Sequence, residues 1–193
     1  MILFQEKKLN KKYLDLSEFF DYAWSLMRRG VQDPKSAARN PTFATISKDG
    51  YPSLRTVVLR FADRETNCLK IHTDLQTDKV NELKENNVAA LHFWIPKAMV
   101  QIRASVNVEI LTGRQVESEW NAVPLRARVA YGSIPSSGFK LMGPFEYQKT
   151  SKQGSFAVLS CKISVLDLLY LGSKHQRAIY RKSDKWRASW VAP

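Results

Sequence analysis

Between Met99 and Leu111 the sequence alternates at every step. Val100, Ile102, Ala104, Val106, Val108 and Ile110 point one way, and Gln101, Arg103, Ser105, Asn107 and Glu109 the other. That period of two belongs to an extended strand with one buried face. Such a strand must be flanked by others, and the chain from Pro41 onward supplies them. Thr42 to Ser47 predicts a strand, Lys48-Asp49-Gly50-Tyr51 a tight hairpin, and Ser53 to Phe61 the returning strand. Cys68 to Thr73 and Val88 to Ile95 follow as two more. Ser155 to Ile163 is strand-like, Leu166 to Leu171 is apolar, and Gln176 to Lys182 with Trp186 to Val191 predicts a closing hairpin over Ser183-Asp184. Consecutive antiparallel strands with few helices between them predict a mainly β fold, a small barrel or sandwich. The barrel is favoured because it leaves no open edge.

Helical patterns are few and flanking. Ser17 reads as the N-cap of a helix with Glu18 and Asp21 in its first turn, a stripe of Phe19, Phe20, Trp24 and Met27, and Gly30 as terminator. Lys7, Lys8, Lys11 and Lys12 precede it as a solvated arm, and residues 31–40 read as a connecting loop. A short helix is expected after Thr77, with Val80 and Leu83 inward, and another over Arg114 to Ala122, with Val116 and Trp120 on one face. The Gly/Pro/Ser-rich segment 132–144 predicts a long loop, a feature more often functional than idle in a small domain. With no repeat and no linker, residues 1–193 read as one domain, 1–40 forming an arm and an outer helix.

Composition excludes several classes. Hydrophobic residues make up 44% and charged residues 25%, a globular balance. The longest apolar stretch, Phe156 to Leu171, is interrupted by Lys162 and Asp167, so no membrane span is expected, and the first residues lack a signal-peptide core. Cys68 and Cys161 form no ligand-like spacing and read as buried thiols in a reducing cytoplasm, with no metal site. The net charge of +12 is uneven: residues 1–120 hold 18 Lys+Arg against 15 Asp+Glu, and residues 121–193 hold 12 against 3. A basic C-terminal third implies an anionic partner.

Strong nucleophile motifs and phosphate-binding glycine loops are missing, so catalysis here implies a cofactor. Of the three histidines, His72, His92 and His175, His92 lies between Leu91 and Phe93 and reads as a core residue. Arg55 and Arg60 bracket Thr56-Val57-Val58-Leu59, either as a solvated rim or as anion ligands. His72-Thr73-Asp74-Leu75-Gln76-Thr77-Asp78-Lys79 runs from a strand end into a helix start, where free N–H groups and Lys79 suit a phosphate; an ordinary capped helix is the alternative. Residues five apart on a regular strand face opposite ways. Arg55 and Arg60 therefore meet one small ligand only across a bulge, around a strand end, or between two chains.

The ordered set Pro52 to Arg60, Ile71-His72-Thr73-Asp74 with Lys79, Gln101-Ile102-Arg103, His175-Gln176-Arg177 with Tyr180, and Trp186 to Pro193 resembles the pyridoxamine 5'-phosphate oxidase superfamily. The resemblance implies an antiparallel Greek-key split β-barrel that binds flavin mononucleotide (FMN) as a homodimer, with flavins between the subunits. It implies that Arg55, Thr56, Val57, Val58, Leu59 and Arg60 form the strand beside the flavin, that His72 and Thr73 replace a Tyr-Thr pair, and that Lys79 holds the phosphate. Gln101 and Arg177 would contact the flavin, Tyr170 stands where the family has Trp, and Arg60 and His175 would face a small, anionic substrate. Asp78 replaces a frequent Arg. Glu119, Val123 and Ala127 stand where the family places a Tyr, an Arg and a Ser on the substrate phosphate, and Ser173 replaces another Arg. The implied activity is flavin-mediated oxidation of a small amine or related molecule, pyridoxamine or pyridoxine 5'-phosphate included. Two alternatives stay open. One is a non-enzymatic flavin- or haem-binding barrel. The other is a nucleic-acid-binding barrel using Lys140, Lys149, Lys152, Lys174, Arg181, Lys182, Lys185 and Arg187 with Tyr147 and Trp186.

Overall fold

Nine strands form one antiparallel sheet in the computed structural model, which describes residues 15–193; the arm lysines lie outside the described residues. The strands are β1 (Thr42–Ile46), β2 (Pro52–Thr56), β3 (Leu59–Asp63), β4 (Cys68–Asp74), β5 (Val88–Ile95), β6 (Val100–Leu111), β7 (Phe156–Tyr170), β8 (Gln176–Arg181) and β9 (Ala188–Val191). Their order is β2-β1-β5-β6-β7-β4-β3, with β8 on β7 and β9 on β8. The two ends of that order, β2 and β3, are joined only by Val57 and Val58. Three Cα–Cα steps cross at most about 11 Å, so the sheet must curl until its ends nearly meet. This is why it closes into a barrel.

The single returning strand expected over Ser53 to Phe61 is therefore two strands. β2 pairs with β1 and β3 with β4. Conversely, Ser155 to Ile163 and Leu166 to Leu171 are not separate: β7 runs through both. One edge of β7 pairs with β6 along its length. The other pairs with β4 over Phe156 to Lys162 and with β8 over Val165 to Tyr170, which splits the barrel. Ser164 is the extra residue at the changeover; its hydroxyl donates to the Ser105 carbonyl at 3.1 Å.

Helix α1 (Leu16–Gln32) packs Phe19, Phe20, Ala23, Trp24 and Met27 against the barrel. Its cap is Asp15, not Ser17. The Asp15 carboxylate accepts from Glu18 N at 2.7 Å, and Glu18 answers as a capping box. Nor does Gly30 end the helix. It lies buried against the 3-10 turn Ala37–Arg39, where a Cβ would stand 2.6 Å from the Ala38 carbonyl oxygen. Arg39 donates to the Gly30 and Val31 carbonyls at 3.3 and 3.0 Å, satisfying the helix end.

Helix α2 (Asp78–Glu85) buries Val80 and Leu83, as the sequence predicts. Helices α3 (Glu117–Ala122) and α4 (Leu125–Arg128) cover the first half of β7. There Val116, Trp120, Val123 and Tyr131 enclose Phe156 and Val158 in a second apolar cluster, while Leu159, Cys161 and Ile163 enter the main core. His92 is a correction: it is half-buried on the outer face of β5, because Leu91 and Phe93 take the core face.

Candidate functional site

Helix α2 begins without a side-chain cap. Thr77, the residue before it, turns its hydroxyl to donate to the Asp74 carbonyl at 2.8 Å; Val80 N–H donates to the Thr77 carbonyl at 2.9 Å, and the Asp78 and Lys79 N–H groups are left open among the described residues. Lys79 Nζ lies here, donating to Thr73 Oγ1 at 3.3 Å. Burial, then the neighbouring Arg55 charge, pulls the Lys79 ammonium below the usual lysine range. A half-buried cation beside uncapped N–H groups fits a phosphate well. Arg55 approaches from β2 on the same core-side face. Its guanidinium reaches Glu82 Oε2 at 3.0 Å, Ser53 Oγ at 2.6 Å and the Thr45 hydroxyl. Glu82, one helical turn after Lys79, is the carboxylate that fixes Arg55, and its i+3 spacing from Lys79 was readable in the sequence.

The predicted strand beside the ligand is divided by function. Val57 and Leu59 are buried at 8% and 0% exposure and pack in the core. Thr56 is exposed opposite Thr42, and Val58 is half-buried. Arg60 sits at the register shift of β3 and is exposed. The register shift lies between Arg55 and Arg60, but Arg60 turns to the side of Lys70 and His72, whereas Arg55 meets Ser53 and Glu82.

His72 and Thr73 face opposite ways on β4. Thr73 joins Lys79, whereas His72 packs edge-on to Phe156 at 5.0 Å and faces a cleft of about 450 Å³ with Arg60, Lys70, Glu119 and Arg126. Burial, then the Arg60 charge, lowers the His72 pKa to about 4, so its ring is neutral at pH 7. Lys70 Nζ meets Glu119 Oε1 at 2.8 Å. Of the other basic side chains near the cleft, Arg128 lies over the Trp120 ring at 4.8 Å and donates to the Val123 carbonyl at 3.0 Å. Segment 132–144 is a loop, as expected, and it folds toward the start of α2. Gly138, at φ +85°, lies so close that a Cβ would stand 3.3 Å from Asp78 Oδ2.

A third group lies on the outer sheet face. Gln101 pairs with Trp94 and Leu169, and Arg177 also pairs with Leu169. Asp167 holds Arg177 through two contacts, 3.1 and 2.9 Å, and also binds Arg103. Sequence reasoning missed this carboxylate, and no spacing marks it, because β6, β7 and β8 meet only in the folded sheet. Tyr170 opposes Val100 and packs on the main core, on the other face of β7 from the Leu169 position that pairs with Gln101 and Arg177. His175 is exposed just before β8.

The pyridoxamine 5'-phosphate oxidase FMN-binding domain model matches residues 22–112. A pyridoxine/pyridoxamine 5'-phosphate oxidase 2 from Arabidopsis thaliana is 31% identical over 141 residues, 67% of this chain and 69% of that protein. The chain belongs to the pyridoxamine 5'-phosphate oxidase family. A Caenorhabditis elegans relative, a putative pyridoxamine 5'-phosphate oxidase, is 33% identical over 58% of this chain, but only 47% of its own length is matched. A solved structure from Nostoc punctiforme, a pyridoxamine 5'-phosphate oxidase-related, FMN binding protein, superposes with a TM-score of 0.74 at 20% identity, covering 93% of this chain and all of that one. The barrel is thus the family's split barrel, shared with a relative of quite different sequence.

Proposed function

We propose that this family member binds FMN with its phosphate on Lys79 and the start of α2, and acts as a flavin-dependent oxidoreductase on a small reduced substrate. The observation that carries this reading is the half-buried Lys79 ammonium at an uncapped helix start, next to Arg55 and in no salt bridge among the described residues. Bound flavin supplies the hydride acceptor. The chain supplies the charge that holds the phosphate, the Arg55–Glu82 brace, and a dry wall of Phe43, Leu59 and Ile71 beneath. Gln101 and Arg177 lie on the other face of the sheet from Arg55. We infer a homodimer in which one copy offers Arg55, Thr73 and Lys79 and a second offers Gln101 and Arg177. Two unpaired buried thiols, Cys68 and Cys161, suit a reducing cytoplasm.

The test is the visible spectrum of the purified protein, with mass spectrometry of what heat releases and its mass in solution. A yellow dimer that yields FMN is expected. A colourless monomer that ignores added FMN in a fluorescence-quenching titration overturns the reading.

A further inference from the structure

Seven of the fifteen large hydrophobic side chains exposed among the described residues fall between Leu125 and Tyr147. The extreme ones stand at the tip of the loop that follows α4. Met142 is 93% exposed, Phe145 87% and Phe139 65%. Apolar side chains concentrated in this way mark an interaction surface, whereas single scattered ones need no explanation.

The loop is anchored at its base. Ile134 and Gln148 exchange backbone hydrogen bonds of 2.9 and 2.7 Å, and Lys152 N–H donates to the Tyr131 carbonyl at 3.0 Å. Gly132 N–H donates to the Asp74 carboxylate, which ties the base to β4. Leu141 is half-buried and lines a cavity with Thr77 and Ala130, so the root packs on the body while Met142 and Phe145 project from it. From Leu125 to Lys152 the chain carries five cations and one carboxylate. That carboxylate, Glu146, folds back to accept from Met142 N–H at 3.1 Å. Arg126, Lys140, Lys149 and Lys152 are exposed and in no salt bridge among the described residues.

Charge and shape choose the occupant. A second copy brings the same net charge of +12 to meet these cations. An acidic protein needs a concavity shaped to receive the tip. A bilayer surface rich in anionic lipid accepts an apolar wedge of any shape and holds flanking Lys and Arg at its headgroups. No helix among the described residues is long and apolar enough to cross a membrane, so the contact is with the surface.

We propose that the tip of residues 138–147 docks on an anionic lipid surface. Phe139, Met142 and Phe145 enter the boundary between headgroups and acyl chains, while Arg126, Lys140 and Lys149 stay at the headgroups. Neither signal suffices alone: a few apolar side chains bind marginally, and exposed cations are screened by salt. The contact is therefore reversible and salt-sensitive. It does not depend on the flavin reading.

The test floats the full chain with vesicles of phosphatidylcholine, either pure or with roughly one-third phosphatidylserine. At least tenfold more chain is expected on the anionic vesicles, and most of it should leave at about 0.5 M salt. Met142→Ser with Phe145→Ser should cut that binding at least fivefold at unchanged melting temperature and flavin content. Phe145→Trp should add emission that acyl-brominated lipid quenches more than it quenches the five native tryptophans. Equal flotation on both vesicles, or none on either, overturns the proposal. So does a folded double variant that floats as well as the unaltered chain, which would assign the binding to another basic surface. Added emission that brominated lipid leaves unquenched overturns insertion and the proposal with it. A double variant that turns a dimer into a monomer shows that a second copy covers the tip, and the proposal falls. Should the double variant melt early, the Phe145→Trp quenching decides.

Discussion

Lys79 and His72 are seven residues apart in sequence and serve different sides of the sheet. A charge-assisted contact from the Lys79 ammonium to a phosphate is worth about 1.5–3 kcal/mol. Lys79→Ala is therefore expected to weaken FMN by roughly 10- to 150-fold, at about 1.4 kcal/mol per decade. Riboflavin, lacking the phosphate, should lose little in the same titration, and equal losses would show that Lys79 acts through folding. His72 sets a pH dependence. Its pKa falls from 6.5 to about 4 on folding, chiefly through burial. Between those values the unfolded chain binds more protons, so stability is complete above pH 6.5 and declines as pH falls toward 4. The full shift corresponds to at most about 3 kcal/mol, less where solvent reaches the ring. Urea midpoints at pH 7 and pH 5 should differ more for the unaltered chain than for His72→Gln. Lys79, Arg55 and Arg177 stand out as candidates in the sequence by type and order. Which face each occupies was not legible there, because facing depends on the bulge at Arg60 and on strand partners far along the chain.

Local signals fared according to how one-sided each element is. β6, with one wet face, announces itself by alternation, and its expected boundaries hold to within a residue. β7 does not, because its first half is buried on both faces and alternation disappears into a continuous apolar run. The break between β2 and β3 was hidden for a related reason: Thr56-Val57-Val58-Leu59 has high strand propensity and no glycine or proline to punctuate it. At α1 two cap-type residues stood close together. Asp15 won because Glu18 sits three residues on and completes the box. Gly30 shows the limit of propensity. Alanine there gains about 1 kcal/mol of helix preference, but its Cβ would meet the Ala38 backbone, which cannot swing aside as a side chain does. Gly30→Ala is expected to destabilise the protein by about 1–3 kcal/mol net, read as a lower urea midpoint with an unchanged slope.

On the scale of the whole molecule, the sheet leaves Leu54, Val88 and Trp94 exposed at 63%, 51% and 42%. All three lie on the outer face that also carries Gln101 and Arg177. If two copies meet there, Trp94→Glu should yield a monomer by light scattering and lower flavin content together, while the melting temperature of the single barrel moves little. A dimer that survives the change would place the interface elsewhere. The double service of β7 has a temporal side. β6 is made early and its partner late: 59 residues separate Leu111 from Tyr170, which at ordinary synthesis rates takes a ribosome roughly 3–12 s. During that interval one edge of β6, rich in Val and Ile, and one edge of β4 lie unpaired, so the nascent chain is at its stickiest just before the strand that joins its two halves emerges. A chain stopped at residue 155 should accordingly go to inclusion bodies, and cells that translate the segment from 112 to 155 slowly should recover less folded protein than cells that hurry through it.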